Sequence, residues 1–501
     1  MKIKKLLKDI PIKEIKGPKE IEISGICCNS KLVSPGNLFV AKKGRSEDGM
    51  HYIPEAISAG AIAILTDIYD PSLKNITQII HPDVPLIEGL LALNYYQQAS
   101  DELYIVGITG TNGKTTTSFL IKHLLDQLHI PSGLIGTIEY IIGQHRYQAT
   151  RTTPDVLTNH KMLREMVQQG CKSAVMEVTS HAMDQGRVQN IDYDLAIFTN
   201  LSLDHLDYHH TMDNYCAAKN KLFRSLKPNN NQKKVPHFPT TAVVNGDSGW
   251  TSKIMEGCKA NILSYGIDNP CDLQAKEIRL SSSGTHFKLS YGGKTVSCLW
   301  PMIGRFNVYN CLAAISVGVV RGEPLDKLAD MMADFPAVPG RLEGVPNALG
   351  RKIYVDFAHS DDALLNVFEC LQELKTGRII AVFGCGGDRD FTKRPKMAAV
   401  CEKFSDLSIV TSDNPRSEDP DAIIRDIVKG FKDKSRYEVE PDRRLAIQKA
   451  IDIAGDDDII LIAGKGHEAY QIFAHKTIEF DDWKIAANIC QMKHTTELAN
   501  R

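Results

Sequence analysis

Residues 106–121 read VGITGTNGKTTTSFLI. An apolar run closes on a glycine-rich turn, and Gly113-Lys114-Thr115-Thr116 then opens an amphipathic segment. That is the order of a strand, a phosphate-binding loop and a helix. The common spacing G-x-x-x-x-G-K-[ST] would put glycine at 108, where this chain has Ile. The chemistry survives the altered spacing. Gly110 and Gly113, with Thr111 and Asn112 between them, let backbone N–H groups approach phosphate oxygens, and Lys114 supplies a point charge. The helix that follows aims its N-terminus at the anion. A hydroxyl from Thr115 or Thr116 can reach a Mg²⁺ ion. The competing reading is an ordinary glycine turn, against which the Gly-Lys-Thr-Thr directly after an apolar strand argues.

Working outward, the pattern of an apolar strand handing over to a polar turn recurs. KSAVMEVTS (172–180) and LAIFTNLS (195–202) carry it, as do RKIYVDFAH (351–359), GRIIAVFGCGGDRD (377–390), LSIVTSDNP (407–415) and DDIILIAGKGHE (457–468). Such strands alternating with helices predict parallel sheets, with ligands at the carboxyl ends of the strands. The N-terminal block holds GNLFVAKKG and AISAGAIAILT, read as short strands mixed with one helix. Pro and Gly cluster near FPAVPGRLEGV (335–345), a linker. LKPNNNQKKVPHFP (226–239) reads as a surface loop. The expected fold is α/β in three domains. Residues 1–99 form a small N-terminal domain, 100–337 a central parallel sheet carrying the phosphate loop, and 338–501 a C-terminal Rossmann-like domain.

A chain of 501 residues is too long for one core. Its net charge of -2 and lack of a basic run give no reason to expect nucleic acid or an acidic membrane as partner. No apolar run nears the roughly 20 residues that span a bilayer. The opening MKIKKLLKDIPIKEIKG is broken by charges where a signal peptide would be continuously apolar. Twelve scattered cysteines without C-x-x-C read as reduced thiols. A cytoplasmic monomer acting on small molecules is the expectation.

Two downstream strands can complete a metal site. Glu177 ends AVME and His205 sits in NLSLDHLDYHH, so a carboxylate and an imidazole stand ready to hold Mg²⁺. DHLDYHH also invites a zinc reading, but its spacing matches no common zinc pattern. A polar loop with solvated histidines suits His209 and His210 better than His205.

GTNGKTT resembles the ATP loop of the Mur ligases and their folylpolyglutamate synthetase relatives, which join an amine to a carboxylate through an acyl phosphate. The resemblance runs from about residue 20 to the end. It implies ATP on Gly110–Thr116, catalytic roles for Lys114, Glu177, His205 and Lys219, and magnesium on Thr115, Glu177 and His205. Lys219 in NYCAAKNKLF would be carbamylated and join a second magnesium site. Asn307 in GRFNVYN would read adenine, with Arg341 and His359 near the nucleotide. The closest branch adds the third residue to UDP-N-acetylmuramoyl-L-alanyl-D-glutamate. There Ser30 and the Arg45-Ser46-Glu47 loop would face the UDP, and Thr152, Thr153, Thr179, Gln185 and Arg187 the sugar-peptide.

The third block decides the amine. Asp413-Asn414-Pro415-Arg416 is the form that in this family accompanies meso-diaminopimelate. That amino acid differs from lysine by a second carboxylate, which a guanidinium grips bidentately. Arg389 adds a cation, and Glu468 with Gly464 would hold the distal ammonium. One departure stands out: where the family has A-H-T-P-D, this chain has Ser360-Asp361 after His359, an acid expected to weaken ATP binding modestly. Substrates held on different domains imply closure during turnover. The alternatives are an L-lysine-adding or folate ligase of the same family, and a nucleotide-binding regulator that makes no bond.

Overall fold

In the computed structural model, residues 1–44, 47–228, 233, 238–281 and 284–499 are described. The strand Tyr104–Thr109 is buried along its whole length, as a strand covered by helices on both faces must be. It lies between Leu195–Phe198 and Ser173–Glu177, both parallel to it. Beyond these come Thr241–Asn245 and Asn261–Gly266 on one side, and Ser132–Ile135 on the other, all parallel. Glu139–Ile142 and His145–Gln148 add an antiparallel edge. The carboxyl ends of Tyr104–Thr109, Ser173–Glu177 and Leu195–Phe198 therefore open on one rim of the sheet, where the phosphate loop leaves.

The chain divides into two compact units, Met1–Tyr265 with Ala313–Gly322, and Gly266–Leu312 with Glu323–Arg501. Within the first, the N-terminal residues form a sheet ordered Glu14–Lys16, Thr77–Ile80, Ala63–Thr66, Asn37–Val40, Gly25–Cys27. Only its Glu14–Lys16 edge is antiparallel. Three α-helices accompany it, Ile3–Leu6, Ile53–Ser58 and Val84–Tyr95, where the sequence suggested one. The two four- and six-residue helices are too short to show an apolar period. The core of this sheet, built on Leu38, Leu65, Ile79, Ile87 and Leu91, also contains Val156 and Leu157 of the helix Val156–Gln168.

The second unit contains an antiparallel meander, Leu273–Ser281, Gly284–Tyr291 and Lys294–Trp300, which the sequence reading did not anticipate. Its six-stranded sheet runs Glu343–Gly344, Lys352–Asp356, Ile459–Ala463, Ile379–Phe383, Leu407–Val410, Tyr437–Val439, and all but the first are parallel. Tyr470–Phe473 and Lys476–Glu479 form a separate two-stranded hairpin. Each of the four apolar runs read as a buried strand is one. The polar segment 226–239 lies largely outside the described residues.

The Ser360-Asp361 departure has a local explanation. Ser360 is the N-cap of the helix Asp361–Leu374, and its hydroxyl accepts from Ala363 N–H. Asp361 occupies the first helical position, where proline is favoured for its fixed φ and an acid for the positive end of the helix dipole. One helix-starting residue has replaced another. Ser360→Ala should lower stability by about 1 kcal/mol in a denaturant titration, the usual cost of a lost cap; no change would mean that the cap contributes nothing.

Candidate active site

The phosphate loop is held from the neighbouring strand. Asn200, just past Leu195–Phe198, accepts Thr111 N–H on its carbonyl and Asn112 N–H on its side chain, each at 2.9 Å. The Thr199 hydroxyl donates to the Asn112 carbonyl at 2.7 Å. A side chain at Gly110 would collide with that hydroxyl, its Cβ falling 1.8 Å away, so only glycine lets the loop pass. Gly113 sits at φ +84 as N-cap of the helix Lys114–Gln127, the left-handed conformation glycine adopts freely.

Two lysine amino groups converge here. Lys114 Nζ donates to the carbonyls of Gly110 (2.9 Å) and Thr111 (2.7 Å), and Lys219 Nζ donates to the same Gly110 carbonyl at 2.8 Å. Lys219 is 1% exposed and lies 4.5 Å over the Tyr215 ring. Burial, and then the charge of Lys114, hold its ammonium well below the usual lysine range. Lys219 looks like a surface lysine only in isolation. On the helix Met212–Arg224 it shares the buried face with Tyr215, Ala218, Leu222 and Phe223, an apolar stripe at helical spacing that was readable from the sequence.

Glu177 ends its strand with no exposed surface. Its Oε2 accepts from the hydroxyls of Thr115 (3.0 Å) and Thr137 (2.9 Å), and its Oε1 from Thr137 N–H (2.9 Å) and, more distantly, Ser118 Oγ (3.4 Å). Thr116 is buried on the same helix turn. Thr137 was missed by the sequence reading, since nothing near it carries a motif. Its hydroxyl also contacts Thr152 Oγ1 at 3.1 Å, joining the phosphate loop to the threonines expected to hold a sugar-peptide. Thr153 donates to the Glu177 carbonyl and accepts from Thr179 N–H. The Arg187 guanidinium is clasped by Gln185 Oε1 (2.6 and 3.0 Å) and the Thr153 carbonyl (3.0 Å). Thr152, Thr153, Thr179, Gln185 and Arg187 thus form one connected patch.

The histidines of DHLDYHH reverse one expectation. His209 is buried, its Nε2 2.9 Å from Ser180 Oγ and its ring stacked on Tyr215, whereas His205 and His210 are exposed. His209 fills space against an aromatic ring, which a polar-loop reading overlooks. His205, though its edge is open to solvent, has its ring edge-on to His181 at 4.8 Å; loss of water on that packed side, with Lys114 and Lys219, holds its imidazole below the usual range against the opposing pull of Asp204. Among the described residues, no group of three or more His, Cys, Asp or Glu is arranged to hold a metal. Glu177 with the Thr115 hydroxyl is a hard-oxygen pair that suits Mg²⁺ completed by phosphate oxygens, the way that ion is usually held.

In the N-terminal sheet, Ser30 is buried in a short 3-10 turn and Glu47 accepts from the Tyr52 hydroxyl at 2.8 Å. Arg45 and Ser46 lie outside the described residues. In the second unit, Asn307 is turned inward, donating to the Ile303 carbonyl and accepting from Asn310. Arg341 stacks on Phe357 at 4.7 Å, and the half-turn after it brings the exposed His359 against the same ring.

The turn Asp413–Arg416 follows Leu407–Val410 and is welded to the hairpin. Asn414 Oδ1 accepts from Ile472 N–H, and Arg416 N–H donates to the Ile472 carbonyl, both at 3.0 Å. Gln471 Nε2 donates to the Asp413 carbonyl at 2.8 Å. Arg416 adopts φ +54, and its Nη1 donates to Gly387 O at 2.7 Å, which aims the guanidinium across the GCGGDRD turn where Arg389 stands exposed. Pro415 lies so close to Gly387 that a Cβ there would sit 1.9 Å from its carbonyl oxygen. Gly464, at φ +115, lets the Asp413 carboxylate approach within 2.6 Å of where its Cβ would be. Glu468 Oε2 accepts from Asn414 Nδ2 at 2.7 Å.

Models of three Mur ligase segments match the chain: the family catalytic domain over residues 22–98, the middle domain over 108–318 and the glutamate ligase domain over 340–466. A UDP-N-acetylmuramoyl-L-alanyl-D-glutamate--2,6-diaminopimelate ligase of Chlamydia caviae is 44% identical over 98% of this chain and 99% of its own length. The chain belongs to the Mur ligase family. A second Mur ligase of the same name, from Syntrophomonas wolfei, is 40% identical over 98% of this chain and all of its own. A solved Mur ligase structure bearing that name superposes with a TM-score of 0.70 at 32% identity, covering 99% of both chains. A Mycobacterium tuberculosis folylpolyglutamate synthase, at 19% identity and TM-score 0.60, shares the fold over 74% of this Mur ligase and 91% of itself.

Proposed function

We propose that this chain is an ATP-dependent ligase that joins an amine of meso-2,6-diaminopimelate to the D-glutamate γ-carboxylate of UDP-N-acetylmuramoyl-L-alanyl-D-glutamate. The observation that carries the reading is end-to-end identity of 44% to ligases named for that reaction, in a chain whose Arg416 is fixed on Ile472 and whose neighbouring Asn414 holds Glu468. The three-domain division at 1–99, 100–337 and 338–501 follows the same reading.

The γ-carboxylate attacks the γ-phosphorus of ATP, and ADP leaves. Lys114 and the loop N–H groups of Gly110–Thr116 bind the phosphates and offset charge on the transferring group. The Lys114 ammonium, resting on the Gly110 and Thr111 carbonyls, brings to this loop the positive charge that a phosphate meets. Thr115, Glu177 and His205 would hold Mg²⁺, which would supply positive charge against the transferring phosphoryl group. The acyl phosphate is then attacked by the free amine of diaminopimelate, and phosphate leaves as the amide forms. Arg416 and Arg389 bind the distal carboxylate and Glu468 the ammonium, while Arg187 grips the sugar-peptide.

Lys219 fits carbamylation. Carbon dioxide adds to a neutral amine, whose nitrogen forms the N–C bond and releases a proton, and a lysine held well below its usual range supplies that amine. The product would carry a carboxylate into the cationic loop.

Phosphate release measured with MgATP, the UDP-dipeptide and each of meso-diaminopimelate, L-lysine and L-glutamate tests the reading. Release should need both the UDP-dipeptide and diaminopimelate. Release that ran unchanged without either would sink the ligase, and preference for lysine would sink the amine assignment.

A further inference from the structure

The GKGHE turn holds a charged group that the reaction above leaves unused. Lys465 has no exposed surface. Its ammonium lies 3.2 Å from Asn414 Oδ1, 3.3 Å from Glu468 Oε2 and 3.9 Å from Asp413 Oδ1, and 5.6 Å over the Tyr470 ring. A buried ammonium is costly unless it is paired and hydrogen-bonded, and these partners meet both conditions.

The contacts determine how Asn414 is oriented. Its Oδ1 takes both Lys465 Nζ and Ile472 N–H, so its Nδ2 must face Glu468 Oε2. A flipped amide would set its NH₂ against an ammonium and an N–H while turning its oxygen to a carboxylate. The charge count is equally constrained. Asp413 and Glu468 bring two negative charges against one positive charge on Lys465, leaving one negative. Of the other cations beside these turns, the buried Arg443 is matched by Asp482 at 2.7 Å, and the Arg416 guanidinium is turned onto the Gly387 carbonyl. Burial pushes the Glu468 carboxyl up, and Lys465 draws it back down. Remove that cation and two carboxylates share one buried site, which favours a proton on one of them.

We infer that Lys465 is the positioning residue of the amino-acid site, locking Asn414 and Glu468 in the arrangement that offers one net negative charge to the ammonium of the incoming diamino acid. The inference rests on the reading of Asp413–Arg416 as the amino-acid site. Lys465 acts through its neighbours and touches no substrate.

The test compares full-length Lys465→Met and Lys465→Arg with the wild type. Phosphate release is followed against meso-diaminopimelate concentration from pH 6 to 9, with MgATP and UDP-dipeptide saturating. Lys465→Met should raise the KM for diaminopimelate about 30-fold, the low end for truncating a buried charge pair. It should leave the KM values of ATP and UDP-dipeptide within about twofold, far below that effect. The acid limb of kcat/KM for diaminopimelate should move to higher pH in Lys465→Met and stay in place in Lys465→Arg. A purely structural lysine would weaken all three substrates together and leave the limb unmoved. That result, or an unchanged KM for diaminopimelate, overturns the inference. If Lys465→Met melts below the assay temperature, Lys465→Gln, which keeps a donor without the charge, replaces it under the same criteria. A wild type that ignores diaminopimelate overturns the underlying reading instead.

Discussion

Lys114→Met should lower kcat by about 10²- to 10³-fold, the usual loss when one donor to a developing anion is removed. The effect belongs to the transition state, because the charge that Lys114 offsets grows as the phosphoryl group moves. KM for diaminopimelate should therefore hardly change. Stability should also hold. Without nucleotide, Lys114 Nζ rests on two backbone carbonyls of its own loop, in a partly exposed position. Such bonds contribute about 1 kcal/mol each at most. Steady-state phosphate release together with a thermal melt checks both halves. A kcat within threefold of wild type would remove Lys114 from the phosphoryl step.

Arg416→Met should cut kcat/KM for diaminopimelate by about 150-fold while barely touching any basal use of L-lysine, so that the preference between them collapses. Truncating one partner of a buried charge pair costs about 3 kcal/mol, or about two decades, because the substrate carboxylate is left unpaired. Lysine brings no second carboxylate and loses nothing. Arg416→Lys keeps the charge but not the planar fork, and should fall between the two. Backbone strain does not confuse the comparison. Position 416 is at φ +54 whatever side chain it bears, and its N–H bond to Ile472 survives every substitution except proline. Equal losses for both amines would mean that Arg416 supports the turn and does not select the substrate.

What was legible from the residues was whatever leaves a short-range signature. Ile459–Ala463 and its parallel neighbour Ile379–Phe383 are continuous apolar runs because both faces are covered, and each hands over to a glycine that a close approach requires. The phosphate loop announced itself for the same reason. Lys465 stood inside a motif that was quoted, yet a lone lysine reads as solvated, and only the fold reveals Asp413 and Asn414 around it. Thr137 was invisible, since its importance lies in reaching Glu177 across forty positions of chain. His209 was misread because local polarity says nothing of the Tyr215 ring that covers it. The meander at 273–300 escaped because its residues alternate between buried and exposed, a weaker pattern than an unbroken apolar run.

The bond between Ile472 and the Asp413–Arg416 turn has a consequence for how amine choice can change. Ile472 spends both of its backbone groups there, one on the Asn414 side chain and one on the Arg416 backbone. Sliding the hairpin strand by one residue would exchange its two faces and break both bonds at once. The four turn residues are therefore not a portable cassette. Transplanted alone into a relative with a differently phased hairpin, they would bring the guanidinium without its bearing surface. If the turn selects the amine, the unit of selectivity is the turn together with Gly464–Phe473, and a swap of amine preference should need both moved as one block.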